Sequence, residues 1–214
     1  FKKAGVDLPP EQWTWADFEK ISLELHEKLG ILAYAGNTLI HDHLWKALYL
    51  SNGDWVYSED GKSLGYTDDQ ILIDHLKMIL RLQKAGATDT RANEAAYENV
   101  AEQAPFNIKQ AAMNFMWSNQ IVGTHSDYCP ECEFKIAFVP RLEGGKPSIY
   151  VKPSMFFSIT KDAKHPKEAA MFIDYFTNSV EANKVGIADR WIPVSSVVKD
   201  GLKSDLTPIQ AQTF

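Results

Sequence analysis

Amphipathic helical segments alternate along this chain with short apolar runs bounded by glycine and polar turns, and that alternation restricts the fold more than any other feature. Helices separated by strands bury their apolar faces against a sheet, the arrangement of an α/β protein. The best-signalled helix comes first. Gly5 and the pair Pro9-Pro10 interrupt regular structure, and Thr14 is then placed to accept from the Asp17 amide while Asp17 reaches back in a capping box. Phe18, Ile21, Leu25 and Leu29 follow at helical spacing, which predicts one buried face.

The same reading carries down the chain. Residues 31–35 read as a short buried strand ending at Gly36, and 41–50 as a helix with Leu44, Leu48 and Tyr49 inward, closing near Gly53. After a turn-rich stretch from Ser58 to Tyr66, Thr67 and Gln70 suggest a second capping box. Ile71, Leu72, His75, Leu76, Ile79 and Leu82 form a helical stripe that ends at Gly86, a residue suited to C′. His75 within that stripe reads as a hydrogen-bonded core residue. Residues 94–103 continue helical, and 111–117, 134–139 and 150–160 read as strands, the last bent by Pro153. Pro166 opens another helix with Ala169, Phe172, Ile173 and Phe176 on its inner face.

Charge narrows the partners. The chain carries 22 basic and 28 acidic residues, a net charge of -6, and no Lys/Arg cluster forms a stripe suited to phosphates, which argues against nucleic acid. No apolar run approaches the roughly 20 residues of a membrane span. No signal-peptide pattern opens the chain, an absence that carries no information if Phe1 is internal to a longer precursor.

The two cysteines lie together in Cys129-Pro130-Glu131-Cys132. They fit a structural loop, reduced or closed by a local disulfide. A redox role wants the first cysteine at a helix N-terminus, whereas here the pair precedes an expected strand. Zinc needs further ligands, and only His125 and Asp127 are near.

Three clusters combine polar and aromatic groups. Trp117, Ser118 and Asn119 directly follow the AAMNFM run, where a flat ring beside a hydroxyl and an amide matches the apolar faces and hydroxyls of a sugar. The same residues also fit a core aromatic followed by an N-cap serine. His41, Asp42, His43 and Trp45 form a second cluster, with Asp42 near a helix N-terminus; the His-Asp-His spacing alone does not complete a metal set. Arg190 and Trp191 form the third, fitting either a carboxylate-binding guanidinium with a stacking ring or a surface arginine with a packing tryptophan. No Gly-x-Ser-x-Gly elbow, phosphate-cradling glycine loop or HExxH appears, and no enzyme is expected.

Several phrases arrive in a familiar order. Phe1 to Gly5, Pro10, Trp13 to Trp15 and Phe18 stand in register with a phrase of the form "lFkkaGv.pP.tWdeF". FNIKQAAM, Phe106 to Met113, is similar to "F..GkaAM", with Lys109 where glycine is usual. MFFSITKDAKHPKEAAMFIDYFTN, Met155 to Asn178, is similar to "..aIsk.skhpeaA..Fl.fl.s", and WIPVS, Trp191 to Ser195, to "giPv". Together these cover most of residues 1–196, and in them the chain resembles extracellular solute-binding proteins of family 1, the carbohydrate-type receptors of ABC importers.

That resemblance implies an α/β, periplasmic-binding-protein-like (type II) lobe with a mixed sheet flanked by helices and a second lobe that is incomplete. Residues 1–150 would form the C-terminal-type ligand-binding lobe, 151–194 a segment returning to the N-terminal-type lobe, and 195–214 a truncated hinge segment. FKKAGVDLPP would be a severed hinge crossing, and Thr207-Pro208 the start of a further helix. The isolated chain would then expose apolar surface and bind sugar poorly.

The implied function is capture of a sugar or oligosaccharide in an interlobe cleft and delivery to an ABC permease, without cofactor or metal. The alternative is a carbohydrate-active enzyme or a non-transport sugar sensor on a related scaffold. The implied location is the periplasmic or extracellular face of a bacterial membrane, with attachment through the permease or a lipid anchor outside this chain. The implied ligand contacts are Trp117, Ser118, Asn119, Asn37, His43, Trp45, Ser154, Met155, Arg190 and Trp191.

Overall fold

The computed structural model describes residues 1–35, 42–97, 100–118, 120, 128–152, 155–186 and 191–214, with the backbone alone described at 42, 43 and 101. The chain divides into two compact units. Unit 1 joins Phe1–Met116 to Ala137–Tyr150, and unit 2 joins Trp117–Ile136 to Val151–Phe214.

Unit 1 begins as its sequence dictates. Helix α1, Trp15–Leu29, opens on the capping box expected at Thr14: the Asp17 amide donates to Thr14 Oγ1 at 3.2 Å and the Thr14 amide donates to Asp17 Oδ2 at 2.8 Å. These bonds to the ionised form hold the Asp17 carboxyl below its ordinary range. Phe18 and Leu25 are buried, with Ile21 and Leu29 packed at the edge of the same core. Gly30 closes the helix in the left-handed conformation.

Strand β1, Leu32–Tyr34, pairs in parallel with β2, Ala111–Met113, in the register Leu32 to Ala111 and Tyr34 to Met113. α1 packs on β1, and helix α3, Gln70–Ala85, packs on both α1 and α2, Asp42–Asn52. A short helix α4, Arg91–Tyr97, follows α3. The core between them holds Trp13, Trp15, Phe18, Tyr34, Leu48, Met78 and Leu82. His75 belongs to it too, edge-on to the Trp15 ring at 4.5 Å.

Several expectations for unit 1 change, beginning with Leu76, which is 39% exposed rather than inward. The α3 start does not use a Thr67 box: Asp69 is the N-cap, and Asp68 Oδ1 takes the Gln70 amide at 2.9 Å while the Gln70 side chain turns forward to Asp74. A short carboxylate two residues before the helix satisfies the orphan amide locally, and the longer-range box is not needed. Helical structure expected over 94–103 is divided between α4 and a 3₁₀ turn at Ala101–Gln103, with 98 and 99 outside the described residues. β2 ends at Met113 rather than continuing to 117.

The run 134–139 is not a strand, nor are 150–152 and 155–160 of the run expected over 150–160, with 153 and 154 outside the described residues. Strand identity requires a partner backbone as well as suitable side chains, and among the described residues β1 and β2 alone form a ladder. Residues 138–141 are instead tied to the start of unit 1. Trp13 Nε1 donates to Phe138 O at 2.6 Å, the Arg141 amide to Trp13 O at 3.1 Å, and the Trp15 amide to Arg141 O at 3.1 Å.

Lys109 has φ 63, the one non-glycine residue in the left-handed region among those described. It sits in a tight turn in which the Gln110 amide bonds Pro105 O at 2.7 Å, just before β2. A side chain in that conformation is strained by roughly 1 kcal/mol, against which glycine sets its greater chain entropy. Lys109→Gly is therefore expected to raise stability slightly, by up to about 1 kcal/mol. A thermal melt that moved downward would contradict this account of the turn.

Unit 2 contains α5, Pro166–Asn178, α6, Val180–Gly186, α7, Ser196–Leu202, and α8, Pro208–Ala211. Pro166 occupies the first turn of α5, and Thr207 with Gln210 caps α8. α7 packs on α6, with Val198 and Leu202 fully buried. The inner stripe of α5 is only half covered: Ala169, Ile173 and Phe176 are half-buried, whereas Phe172 is 58% exposed and not inward as its spacing predicts. Phe156, Phe157, Met171 and Tyr175 also stand exposed. Cys129 and Cys132 form a local disulfide, the structural-loop alternative; His125 and Asp127 lie outside the described residues.

No helix among the described residues is long and apolar enough to cross a membrane.

Candidate ligand-binding site

Trp117 begins unit 2 and is half-buried. Its amide donates to Gln120 Oε1 at 2.8 Å and its carbonyl accepts from the Gln120 amide at 2.9 Å, so the backbone carrying the ring is held on both sides. The Lys152 ammonium stands 5.1 Å from the ring centroid, within the range of a cation–π contact. Ser118 is exposed beside it. The arrangement offers an aromatic surface, a hydroxyl and a cation in one place.

Lys152 and Gln120 were not legible as site residues. Gln120 has a weak signal, the three-residue spacing from Trp117 that also marks helix starts. Lys152 has none, being distant in sequence.

Trp191 has a different neighbourhood within unit 2. Its ring lies 5.2 Å from Phe176, its Nε1 donates to Asn183 Oδ1 at 3.1 Å, and a Cβ on Gly186 would come within 2.8 Å of it. Asn183 is buried and donates in turn to the carbonyls of Phe176 and Ser179 at 2.9 Å each. Trp191 thus meets the requirements of a packing ring. Met155 is 58% exposed.

In unit 1, Trp45 lies on the first turns of α2, two residues after His43, whose side chain is outside the described residues. Its ring meets Tyr57 and Tyr66 edge-on at 5.7 and 6.1 Å. Its Nε1 is buried without a hydrogen-bond partner among the described residues. Tyr66 stacks on Tyr49 at 3.6 Å, and the Tyr49 hydroxyl donates to Asp68 O at 2.9 Å. Burial, followed by the neighbouring Tyr66, pushes the Tyr49 phenol well above its usual range. Asn37, Asn119, Ser154 and Arg190 lie outside the described residues.

Solved structures share this fold across nearly the whole chain. An extracellular solute-binding protein of family 1 from Alicyclobacillus acidocaldarius superposes with a TM-score of 0.75 at 24% identity, covering 99% of this chain and 52% of its own. A periplasmic solute-binding protein from Pectobacterium atrosepticum gives 0.78 at 19% identity, covering 99% and 54%. A periplasmic oligogalacturonide-binding protein from Yersinia enterocolitica gives 0.66 at 24% identity, covering 95% and 51%. The fold is therefore of the periplasmic-binding-protein class, and the chain spans about half the length of these structures. The sequence pattern of the bacterial extracellular solute-binding proteins matches residues 1–182, and the chain belongs to that family.

Proposed function

We propose that this chain is part of the solute-binding component of an ABC importer and that its ligand is a sugar or oligosaccharide, delivered to a membrane permease. The observation that carries the ligand class is Trp117. Its backbone is pinned by Gln120, its ring is half-buried, and Lys152 and Ser118 supply a donor cation and a hydroxyl beside it. An aromatic face provides contact area for the C–H surface of a sugar, while polar neighbours orient its hydroxyls. A carboxylate-bearing sugar would also find a counter-charge in Lys152.

The similar structures support that class, being described as binding oligogalacturonide in the Yersinia enterocolitica protein and cycloalternan in a substrate-binding protein from Listeria monocytogenes. The Cys129–Cys132 disulfide supports a periplasmic or extracellular location, because such bonds persist in oxidising compartments.

A thermal-shift screen of the full-length protein against neutral and acidic oligosaccharides, amino acids and metal ions tests the reading. At least one glycan is expected to raise Tm, since a ligand that binds only the native state stabilises it by mass action. Stabilisation by a non-carbohydrate solute, with none by any glycan, would refute the ligand class. Hydrolysis of the glycan would refute the receptor role.

A further inference from the structure

Helix α3 is apolar on two sides. Its inner side, with His75, Met78, Ile79 and Leu82, is buried in unit 1. On the other side Ile73, Leu76 and Leu80 are 42%, 39% and 63% exposed, at the i, i+3 and i+7 spacing of one helical stripe. A helix that only covers a core needs one apolar stripe, and its outward side is ordinarily polar. Single exposed leucines are common, but three along one face make a surface that gains by being covered.

Charge is ordered along the same face. Asp69 stands at the N-terminal end of α3 and Lys84 in its last turn, both exposed, so the stripe runs from an acid to a base. The Asp69 carboxylate makes no capping bond to the helix. Arg81 is engaged on the flank, where it bonds both oxygens of Glu19 on α1 at 2.6 and 2.7 Å, and the Lys77 ammonium lies 3.7 Å from Asp74. Turned end for end about its midpoint, between Leu76 and Lys77, the pattern falls on itself: Ile73 meets Leu80, the Lys77 stem meets Leu76, and Asp69 meets Lys84. The first pair is about 10 Å apart along the helix and the last about 22 Å. Two such helices in antiparallel contact therefore have an apolar centre with an opposite-charge pair at each end.

We propose that this face of α3 binds the same face of a second copy of the protein, forming a twofold homodimer. A surface that complements itself after a half-turn is what an isologous contact requires, whereas an unrelated partner places no such symmetry on the order of its charges. One helix pair is small against the roughly 1,600 Å² of a standard interface, so the dimer is weak and depends on protein concentration. The inference rests on α3 alone and is independent of the ligand.

Analytical ultracentrifugation of the full-length protein, from about 1 to 500 μM, is expected to show a monomer–dimer equilibrium. Leu80→Lys puts a charge in the apolar centre and is expected to weaken dimerisation by about tenfold or more. Asp69→Lys and Lys84→Glu each set like charges together at both ends, and each is expected to weaken it several-fold. An equimolar mixture of those two variants restores opposite pairs at both ends and is expected to associate as the unaltered protein does. Circular dichroism verifies the fold of each variant. A monomer at every concentration overturns the proposal, whatever else that face binds, a membrane protein included. A dimer that Leu80→Lys or the two charge reversals leave intact, or a mixture that does not recover association, overturns it as well.

Discussion

Phe18→Ala is expected to destabilise unit 1 by about 3 to 5 kcal/mol, the usual cost of emptying a fully buried aromatic site. Phe18 has no solvent exposure and lies within ring-contact distance of Trp13, Trp15, Tyr34 and Phe115, at centroid separations of 5.9, 5.6, 6.1 and 5.6 Å. Three of those contacts are to elements outside α1, so the cavity cannot be closed by a shift of the helix alone. Urea unfolding followed by tryptophan fluorescence reports it directly, because Trp13 and Trp15 line the vacated space. A loss below about 1 kcal/mol, typical of a surface position, would mean the core is organised around another residue.

Trp117→Ala is expected to lower affinity for the best glycan by tenfold or more, since it removes both ring contact and buried area; about 1.4 kcal/mol corresponds to each factor of ten. Calorimetry on the full-length protein separates this from an indirect effect, because Trp117→Phe should restore much of the loss. Thermal melts without ligand should show little change relative to Phe18→Ala, as the Trp117 ring is only half-buried and meets Lys152 on one face. Unchanged affinity in the alanine variant would remove Trp117 from the site.

Local signals were legible where the chain solves its problem locally. Thr14 and Asp17 cap α1 as their spacing requires, Gly86 ends α3 in the left-handed conformation, and Pro166 begins α5. The sequence also showed Leu44, Leu48 and Tyr49 on one buried face of α2. Signals failed where two local solutions compete, as at Asp68, which takes the amide that Thr67 was expected to serve. They failed again where structure depends on a distant partner. Residues 134–139 have strand-like side chains, yet Phe138 receives a bond from the Trp13 indole instead of joining a ladder.

The candidate site shows the same division. Trp117 and Trp45 are conspicuous in sequence as aromatics among polar residues, but Lys152 reaches the Trp117 ring only through the fold. Trp191 reads equally as a platform or a packing ring until Asn183 and Phe176 are found against it.

The bonds joining Trp13 and Trp15 to residues 138–141 impose an order of events on synthesis. α1 leaves the ribosome well before the backbone that fastens its entrance, which is translated more than a hundred residues later. During that interval the aromatic side chains around Phe18 lack their final clasp, and closing so long a loop is the slow kind of step in folding. The nascent chain therefore carries a half-finished hydrophobic face through that interval.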